Sequence, residues 1–382
     1  MKRVLIIKMS SLGDVIHTLP ALTDANSALA DVQFDWVVEE KFAEIPAWHP
    51  AVNTVIPVAI RRWRKHVLNA LTSGEWHHFK RQLQAENYHA VIDAQGLIKS
   101  GFLTWLTAGS SFGLDKHSAR EPLAARFYQN PVFISKEQHA VTRTRQLFAR
   151  VLDYALTDNL DYGIKDFVQH KTGKLKQQQM SPYAASNISI EAKKKPILFF
   201  HGTTWDTKHW PEHYWIELAK RLTTEGYRVL LPWGSEAEYQ RALRIQQQSI
   251  SAGSISLLPR MDLSEMAGQL LEAAAVIAVD TGLAHLAAAL DIPAITLFGP
   301  TNPGLTGPCG AYQEHLLVDY SCAPCLKKHC AMKIVSQKPA DYVQPACFST
   351  LTPARVHKSL TRLLSEQGPS SEPANPGTQS RR

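Results

Sequence analysis

The sequence of 382 residues lacks any long apolar segment. A helix that spans a bilayer needs about 20 consecutive apolar residues, and no stretch approaches that length. Near the start, the basic pair Lys2 and Arg3 precedes apolar residues as in a signal peptide, but Lys8 and Asp14 interrupt the run before any cleavage site. We therefore expect a buried first strand and a cytoplasmic protein.

Common nucleotide-binding signatures are also missing, because there is no Gly-x-Gly-x-x-Gly motif, no Walker loop and no Asp-x-Asp pair. An Asp-x-Asp pair would have indicated a nucleotide clamped by a metal ion. Cysteine is absent from the first 308 residues, and all five cysteines fall in the last fifth of the chain. In a cytoplasmic protein these are expected to be thiols or metal ligands rather than disulfides.

The composition is that of a globular, basic protein long enough for two domains. Hydrophobic residues make up 45% and charged residues 20%, which excludes a disordered chain. The formal net charge is +7 and the sequence pI is near 9.1. This excess suits an anionic partner such as nucleic acid, a sugar nucleotide or an anionic membrane surface, and the charge alone does not choose among them.

Short apolar runs alternate with longer helical patterns in both halves of the chain. The alternation predicts an α/β fold with two Rossmann-like parallel sheets that face each other across a cleft. The predicted strands are 4–8, 34–38, 90–93 and 132–135 in the first half and 196–201, 227–232, 275–279 and 294–298 in the second.

Changes in composition predict where the domains end. We expect an N-terminal domain over 1–170, a linker over 171–195 that is rich in Lys, Gln and Ser, and a C-terminal domain over 196–350 with a cysteine-rich segment at 309–347. A final helix over 351–367 precedes a tail, 368–382, whose Pro, Ser and Gly content predicts disorder.

In the second half, residues 280–285 read Asp-Thr-Gly-Leu-Ala-His and join a strand to a strongly helical segment. Asp280 or Thr281 could cap this helix, Gly282 allows close approach, and the free N–H groups of the first turn form an anion site that His285 could reach. The pattern alone indicates equally well a capped helix with a core-facing histidine.

Two further loops follow strands of the same half. The loop 201–211 offers the hydroxyls of Thr203 and Thr204 and the charge of Lys208, which suits a diphosphate, although a solvated lysine in a cap loop is the simpler interpretation. Without an Asp-x-Asp pair, helix ends and Lys208 would have to neutralise that diphosphate. In the third loop, Glu238 could accept hydrogen bonds from ribose hydroxyls or be an ordinary first-turn acid.

In the first half, Asp14 follows the first strand in a turn of small residues. A carboxylate there could remove a proton from an attacking hydroxyl, or it could simply cap the next helix. The basic run 61–65 is either a solvated face or a grip for an anionic acceptor, and Arg120 and Arg143 are candidates to join it. No nucleic-acid-binding motif accompanies this run.

Taken together, these segments resemble the bacterial lipopolysaccharide heptosyltransferases of glycosyltransferase family 9, and among them the transferases of the first heptose. The resemblance runs in order from residue 3 to about 305. It lies in residues 10–22, 36–40, 61–65, 92–96, 119–124, 203–204, 208–211 and 280–285.

The resemblance implies a GT-B fold and an inverting transfer of heptose from ADP-heptose to the Kdo of Kdo-lipid A, with Asp14 as general base and no cofactor for catalysis. It also implies peripheral contact with the cytoplasmic face of the inner membrane and no nucleic-acid partner. The donor would be bound by Thr203, Thr204, Lys208, Glu238, Asp280, Thr281, Gly282 and His285. The acceptor would be bound by Arg61, Arg62, Arg64, Lys65, Arg120 and Arg143.

The cysteines depart from this resemblance. The spacing of Cys322, Cys325, Cys330 and Cys347 is similar to the cysteine-bearing segment of other family members, including iron-containing protein heptosyltransferases. Four thiolates so spaced could hold a structural zinc or iron ion, or they could be reduced thiols in a loop. The alternatives that stay open are a transferase for a second core position or for protein, and a non-catalytic basic protein that binds nucleotides or nucleic acid.

Overall fold

The computed structural model describes residues 2–66, 72–178, 194–249, 254–332 and 343–366. These residues form two six-stranded sheets, and every pair of adjacent strands is parallel. The predicted α/β class with two facing sheets is therefore confirmed.

The first sheet has the order β3-β2-β1-β4-β5-β6. Its strands are β1 Lys2–Ile7, β2 Val32–Glu39, β3 Val52–Val58, β4 Tyr88–Asp93, β5 Gly109–Leu114 and β6 Asn130–Val132. The helices of this half are α1 Leu12–Ile16, α2 Leu19–Ala28, α3 Glu44–Ala47, α4 Ile60–Trp63, α5 Glu75–Leu83, α6 Ile98–Trp105, α7 Ala140–Leu152 and α8 Lys165–Gln178. The strand predicted at 132–135 was misplaced, since β6 ends at Val132.

The second sheet has the order β12-β11-β10-β7-β8-β9. Its strands are β7 Ile197–Phe200, β8 Val229–Leu231, β9 Ile255–Leu257, β10 Ala275–Val279, β11 Ala294–Phe298 and β12 Gln313–Leu317. Its helices are α9 Glu212–Thr224, α10 Glu236–Gln248, α11 Leu263–Glu272, α12 Gly282–Ala289, α13 Pro303–Thr306 and α14 Pro353–Ser365. Short 3-10 helices lie at Glu40–Phe42, Pro122–Phe127, Asp206–Lys208 and Ala346–Thr350.

Alternate residues of each strand pack into different apolar layers, as the two-residue period of a strand requires. Val4 and Ile6 of β1 and Val276 and Ala278 of β10 all belong to one layer that continues from the first sheet to the second. The other face of the first sheet is covered by α5 and α6, and the other face of the second by α9, α10 and α14. The shared layer holds the carboxyl ends of β1 and β10 opposite each other.

Helix α8 enters the predicted linker, since it runs to Gln178 while the linker was expected to begin at residue 171. Lys and Gln are good helix formers, so their abundance does not by itself indicate a linker. The helix lies against α11 of the second half, where Lys171 Nζ donates to Ser264 Oγ at 2.9 Å. Residues 179–193 of that linker and the predicted tail 368–382 lie outside the described residues, and the domain limits stay a prediction.

Among the described residues, no helix combines the length and the apolar character that crossing a membrane requires.

Candidate active site

Asp14 lies in the third position of helix α1, directly after the turn that follows β1. Its Oδ2 accepts hydrogen bonds from the backbone N–H and the hydroxyl of Ser11, both at 2.8 Å. This is a helix cap, as one of the two interpretations of the sequence expected. Both bonds end on Oδ2 and neither uses Oδ1, so capping leaves a carboxylate oxygen for other chemistry.

Lys8, at the end of β1, is a buried cation beside Asp14. Its Nζ donates to the backbone carbonyl of Ala94 at 2.8 Å. Burial lowers the pKa of Lys8, against the opposing effects of Asp14 and Asp93. Burial by itself would raise the pKa of Asp14, but Lys8 and the two Ser11 hydrogen bonds outweigh it and hold that pKa below its usual value. The Asp14 side chain is therefore a carboxylate at neutral pH.

Gln95, which follows β4, fixes the turn that carries Asp14. Its Oε1 accepts from the backbone N–H groups of Met9 and Ser10 at 3.0 and 3.1 Å. Gln95 and Gly96 are held in turn by Asp93, whose Oδ1 accepts from both of their N–H groups. The floor of the cleft is thus one connected set of hydrogen bonds.

Asp280 is the centre of the site in the second half. Its Oδ2 lies 2.7 Å from Lys208 Nζ and accepts from Thr301 Oγ1 at 2.7 Å. Its backbone carbonyl accepts from Thr203 Oγ1 at 3.1 Å. Three loops that follow β7, β10 and β11 therefore converge on this residue. Sequence analysis predicted Lys208 and Thr203 for this site but missed Thr301, which lies 21 positions beyond Asp280.

Helix α12 begins directly after Asp280. Thr281 occupies its cap position with an extended backbone and makes no side-chain cap hydrogen bond. Gly282 is required here, because a Cβ at this position would lie 2.7 Å from Leu12 Cβ of the first half. The first turn of α12 thus meets helix α1 at close range and keeps its N–H end free of a side-chain cap, as an anion site needs.

His285 joins the two halves. Its Nδ1 lies 2.9 Å from His17 Nε2, between α12 and the segment that links α1 to α2. Burial lowers the pKa of His285 to about 4, against Asp280 and Asp14, which both raise it. Burial also takes the pKa of His17 well below its usual value. Both imidazoles are neutral, so one nitrogen of the pair donates and the other accepts.

Two of the predicted donor-binding residues, Glu238 and Thr204, are not simply placed to contact a ligand. Glu238 turns back to cap α10, and its Oε2 accepts from the N–H groups of Gly234 and Ser235 at 2.8 and 3.0 Å. Its Oε1 nevertheless faces the loop after β7, since a Cβ on Gly202 would lie 2.3 Å from it. Thr204 is exposed at the tip of that loop.

The predicted acceptor residues fall into two groups. Arg61, Arg62, Arg64 and Lys65 are exposed on and after α4, and Arg62 forms ion pairs with Glu40 and Glu75. Arg120 and Arg143 lie near the cleft floor, where both lower the pKa of Lys8. The structure therefore brings Arg120 and Arg143 near Lys8, the residue that lowers the pKa of Asp14.

The four spaced cysteines do not form a recognisable metal site. Cys322 is exposed, Cys325 and Cys330 are half-buried and Cys347 is buried, where burial and the neighbouring thiols raise its pKa to about 11. Across the described ranges, no three His, Cys, Asp or Glu side chains are grouped so that they could hold a metal ion. The predicted zinc or iron site has no support in the structure.

Comparison with known proteins identifies the family. The model of glycosyltransferase family 9 (heptosyltransferase) matches residues 76–336. The chain belongs to glycosyltransferase family 9. The family predicted from the sequence is thus confirmed, and with it the assignment as a glycosyltransferase.

The most similar relatives include two proteins named lipopolysaccharide heptosyltransferase 1. The one from Pseudomonas aeruginosa is 51% identical over 95% of this chain and 98% of its own length, and the one from Escherichia coli K12 is 50% identical over 81% and 92%. The solved structure of E. coli heptosyltransferase WaaC with ADP superposes with a TM-score of 0.77 at 43% identity, covering 94% of this chain and 99% of that one.

The contact between α1 and α12 can be tested at Gly13. A Cβ there would lie 2.7 Å from Cδ2 of the buried, hydrogen-bonded His285 ring. We expect Gly13→Ala to lower the free energy of unfolding by about 1–3 kcal/mol, because the ring or the helix must shift. Urea denaturation measures this change.

Gly173→Ala is the matched control, since a Cβ at this position of α8 meets nothing within 4 Å. It should stabilise the protein by ~0.5–1 kcal/mol through helix propensity. A Gly13→Ala protein as stable as the wild type would contradict the close packing of α1 on α12.

Proposed function

We propose that this protein transfers heptose from ADP-heptose to Kdo of the lipopolysaccharide inner core, on Kdo-lipid A, with inversion at the anomeric carbon. The observation that carries the proposal is the close packing of α1, which carries Asp14, on α12, which begins directly after Asp280. Asp14, Asp280 and Lys208 all lie close enough to His285 of α12 to influence its pKa. The similarity to the heptosyltransferase 1 proteins over nearly the whole chain supports the choice of donor and acceptor.

Asp14 is the general base in this proposal. Its carboxylate takes the proton of the Kdo hydroxyl, and the oxygen attacks the anomeric carbon from the face opposite ADP. The new glycosidic bond forms as the bond to the ADP oxygen breaks, so the configuration inverts. The low pKa of Asp14 keeps the base ionised before the acceptor binds.

The leaving diphosphate receives its stabilisation from the second half. The uncapped first turn of α12, with Thr281 and Gly282, offers N–H donors and the positive end of the helix dipole. Lys208 donates to Asp280 and keeps two more N–H groups for phosphate oxygens. Charge that develops on the ADP oxygen thus meets donors already in place.

Arg120 and Arg143 bind the acid groups of the acceptor in this scheme, since they lie near Lys8 at the cleft floor. Arg61, Arg64 and Lys65 extend the positive surface outward to the phosphates of a lipid anchor. The protein works at the cytoplasmic face of the inner membrane as a peripheral enzyme.

A release assay tests the proposed function. Purified protein is supplied with ADP-heptose and Kdo-lipid A, and ADP formation is followed together with the mass of the product. We expect one heptose to be added and ADP-glucose to be a poor donor. Transfer only to an acceptor that already carries heptose, or only to protein, would overturn the proposed acceptor.

Asp14→Asn tests the base. The amide oxygen can still accept from Ser11, so the cap survives, but it cannot take a proton. We expect kcat to fall by about 10²–10⁴-fold while ADP binding, measured by calorimetry, stays close to that of the wild type. Lys208→Met is the matched variant on the donor side, and we expect it to weaken ADP binding in the same calorimetric measurement. Normal turnover by Asp14→Asn would exclude Asp14 as the base.

Lys8→Met tests the positioning role of the buried ammonium through the pH profile. Without Lys8, the pKa of Asp14 rises, because the largest of the effects that oppose burial is lost. Since only the ionised carboxylate accepts a proton, the acid limb of kcat/KM should move to higher pH, by roughly 1–3 pH units. The exposed-surface variant Arg64→Met should leave the limb in place. An unmoved limb in Lys8→Met would exclude this coupling.

A further inference from the structure

Helix α6 carries large apolar side chains on its solvent-facing side, which is polar in an ordinary surface helix. Ile98, Phe102 and Trp105 are exposed, by 42%, 39% and 65%. Their spacing of i, i+4 and i+7 places them on one side of the helix. The side that packs on the sheet carries Ser100, Gly101, Leu103 and Thr104, which are buried. The hydroxyl of Ser100 donates to the carbonyl of the cap residue Leu97, and that of Thr104 donates to the carbonyl of Ser100.

The exposed side chains lie on one face of α6 and on the 3-10 helix that packs against it. The rings of Phe102 and Trp105 lie 6.0 Å apart. The 3-10 helix Pro122–Phe127 packs against α6 at Gly101, where a Cβ would lie 2.8 Å from the Phe127 ring. That neighbouring helix exposes Leu123 by 53%. We call Ile98, Phe102, Trp105 and Leu123 the α6 patch.

Positive charge borders the α6 patch. Glu39, at the end of β2, is influenced by both Lys99 of α6 and Arg61 of the basic run, so these two cations lie near the same carboxylate. The exposed Arg126 follows Leu123 in the 3-10 helix. Helices α5 and α6 also cover the same face of the first sheet. The patch and the basic run 61–65 therefore belong to one side of the molecule.

The α6 patch is also connected to the cleft. Helix α6 follows Gln95, whose side chain holds the Asp14 turn. The N–H of Ile98 donates to Glu121 Oε2 at 2.7 Å, and Glu121 is the neighbour of Arg120. An acceptor held at Arg120 would thus lie beside the first turn of α6.

We propose that the α6 patch, with the basic residues at its border, docks onto an anionic lipid bilayer and brings the cleft to an acceptor anchored in that bilayer. This inference rests on the proposed lipid-linked acceptor. Aromatic side chains favour the interface between headgroups and acyl chains, and neighbouring cations attract anionic headgroups. A protein partner would not explain why the apolar patch is bordered by cations and adjoins the acceptor side of the cleft.

Neither the α6 patch nor the basic residues at its border suffice alone, since stable peripheral binding normally combines apolar insertion with a basic surface. Trp105 and Phe102 supply the larger apolar area of the patch. Replacing both by serine should therefore weaken membrane binding without touching the cleft, because both side chains point away from the sheet.

The test compares wild type, the double variant Phe102→Ser/Trp105→Ser and the control Phe167→Ser, which removes an aromatic side chain 45% exposed on α8. Binding is measured by co-sedimentation with phosphatidylethanolamine/phosphatidylglycerol vesicles and with phosphatidylcholine vesicles. Activity is measured on Kdo-lipid A in the anionic vesicles and on a deacylated, water-soluble acceptor.

We expect the double variant to bind anionic vesicles about tenfold or more weakly than the wild type and to lose activity on vesicle-borne acceptor in proportion. Its kcat/KM on the soluble acceptor should be unchanged, and Phe167→Ser should match the wild type throughout. Wild-type binding should be weaker on phosphatidylcholine vesicles and should decrease with added salt.

Equal vesicle binding by wild type and double variant would overturn the proposal. So would a self-association of the wild type that the double variant loses while vesicle binding stays the same, because the patch would then be a contact between two copies. If the wild type failed to act on either acceptor, the proposed function would fail, but co-sedimentation would still decide whether the α6 patch binds membranes.

Discussion

Two lysines that lie beside carboxylates, one on each side of the cleft, are the constraint on which the site depends. Moving a charged group out of water costs several kcal/mol, so a buried ammonium persists only beside compensating charge and acceptors. Lys8 has Asp14, Asp93 and the Ala94 carbonyl. Lys208 has Asp280 at 2.7 Å. Lys8 thereby lowers the pKa of Asp14, and Lys208 fixes the position of the Asp280 carboxylate.

The relative position of the two lysine–carboxylate pairs depends on close packing between the two halves of the chain. Gly13 and Gly282 allow α1 and α12 to approach until side chains of one helix contact the backbone of the other. The hydrogen bond between His17 and His285 then fixes their relative position. Because both imidazoles are neutral, this contact adds no positive charge between Asp14 and Asp280. The apolar layer shared by both sheets supplies the burial that keeps these histidines neutral.

Much of the fold could be predicted, because buried parallel strands appear in the sequence as continuous apolar runs such as 4–7 and 275–279. The segments after those runs were therefore predicted to form the site, and Asp14, Lys208 and Asp280 each follow a strand of the sheet, as that prediction expects. Strand β5, with the sequence Gly-Ser-Ser-Phe-Gly-Leu, has no such run and was missed. Helix α8 was partly mistaken for a linker because its Lys and Gln content resembles one.

The interactions that could not be predicted are those between residues far apart in the sequence. Thr301 reaches Asp280 because β10 and β11 are neighbours in the sheet, and no local pattern marks it. Lys8 continues an apolar strand, so its contact with Ala94, 86 residues away, depends on the order of β1 and β4. The sequence predicted that Arg62 lies on a solvated face or binds an anionic acceptor, and it could not show the ion pairs with Glu40 and Glu75.

The cysteine-bearing segment departs from the family pattern, and its backbone contacts the loops around Asp280. The carbonyls of Lys327 and Lys328 accept from the side chain and the backbone of the buried Thr207, at 2.5 and 3.3 Å. The N–H of Leu326 donates to the Pro300 carbonyl at 2.9 Å. These contacts reach the loop that carries Lys208 and the loop that carries Thr301, which both hold Asp280. The exposed pair of His329 and Asp206 contributes little by comparison, because water screens it. Backbone contacts to the buried Thr207 therefore connect this segment to the loops around Asp280.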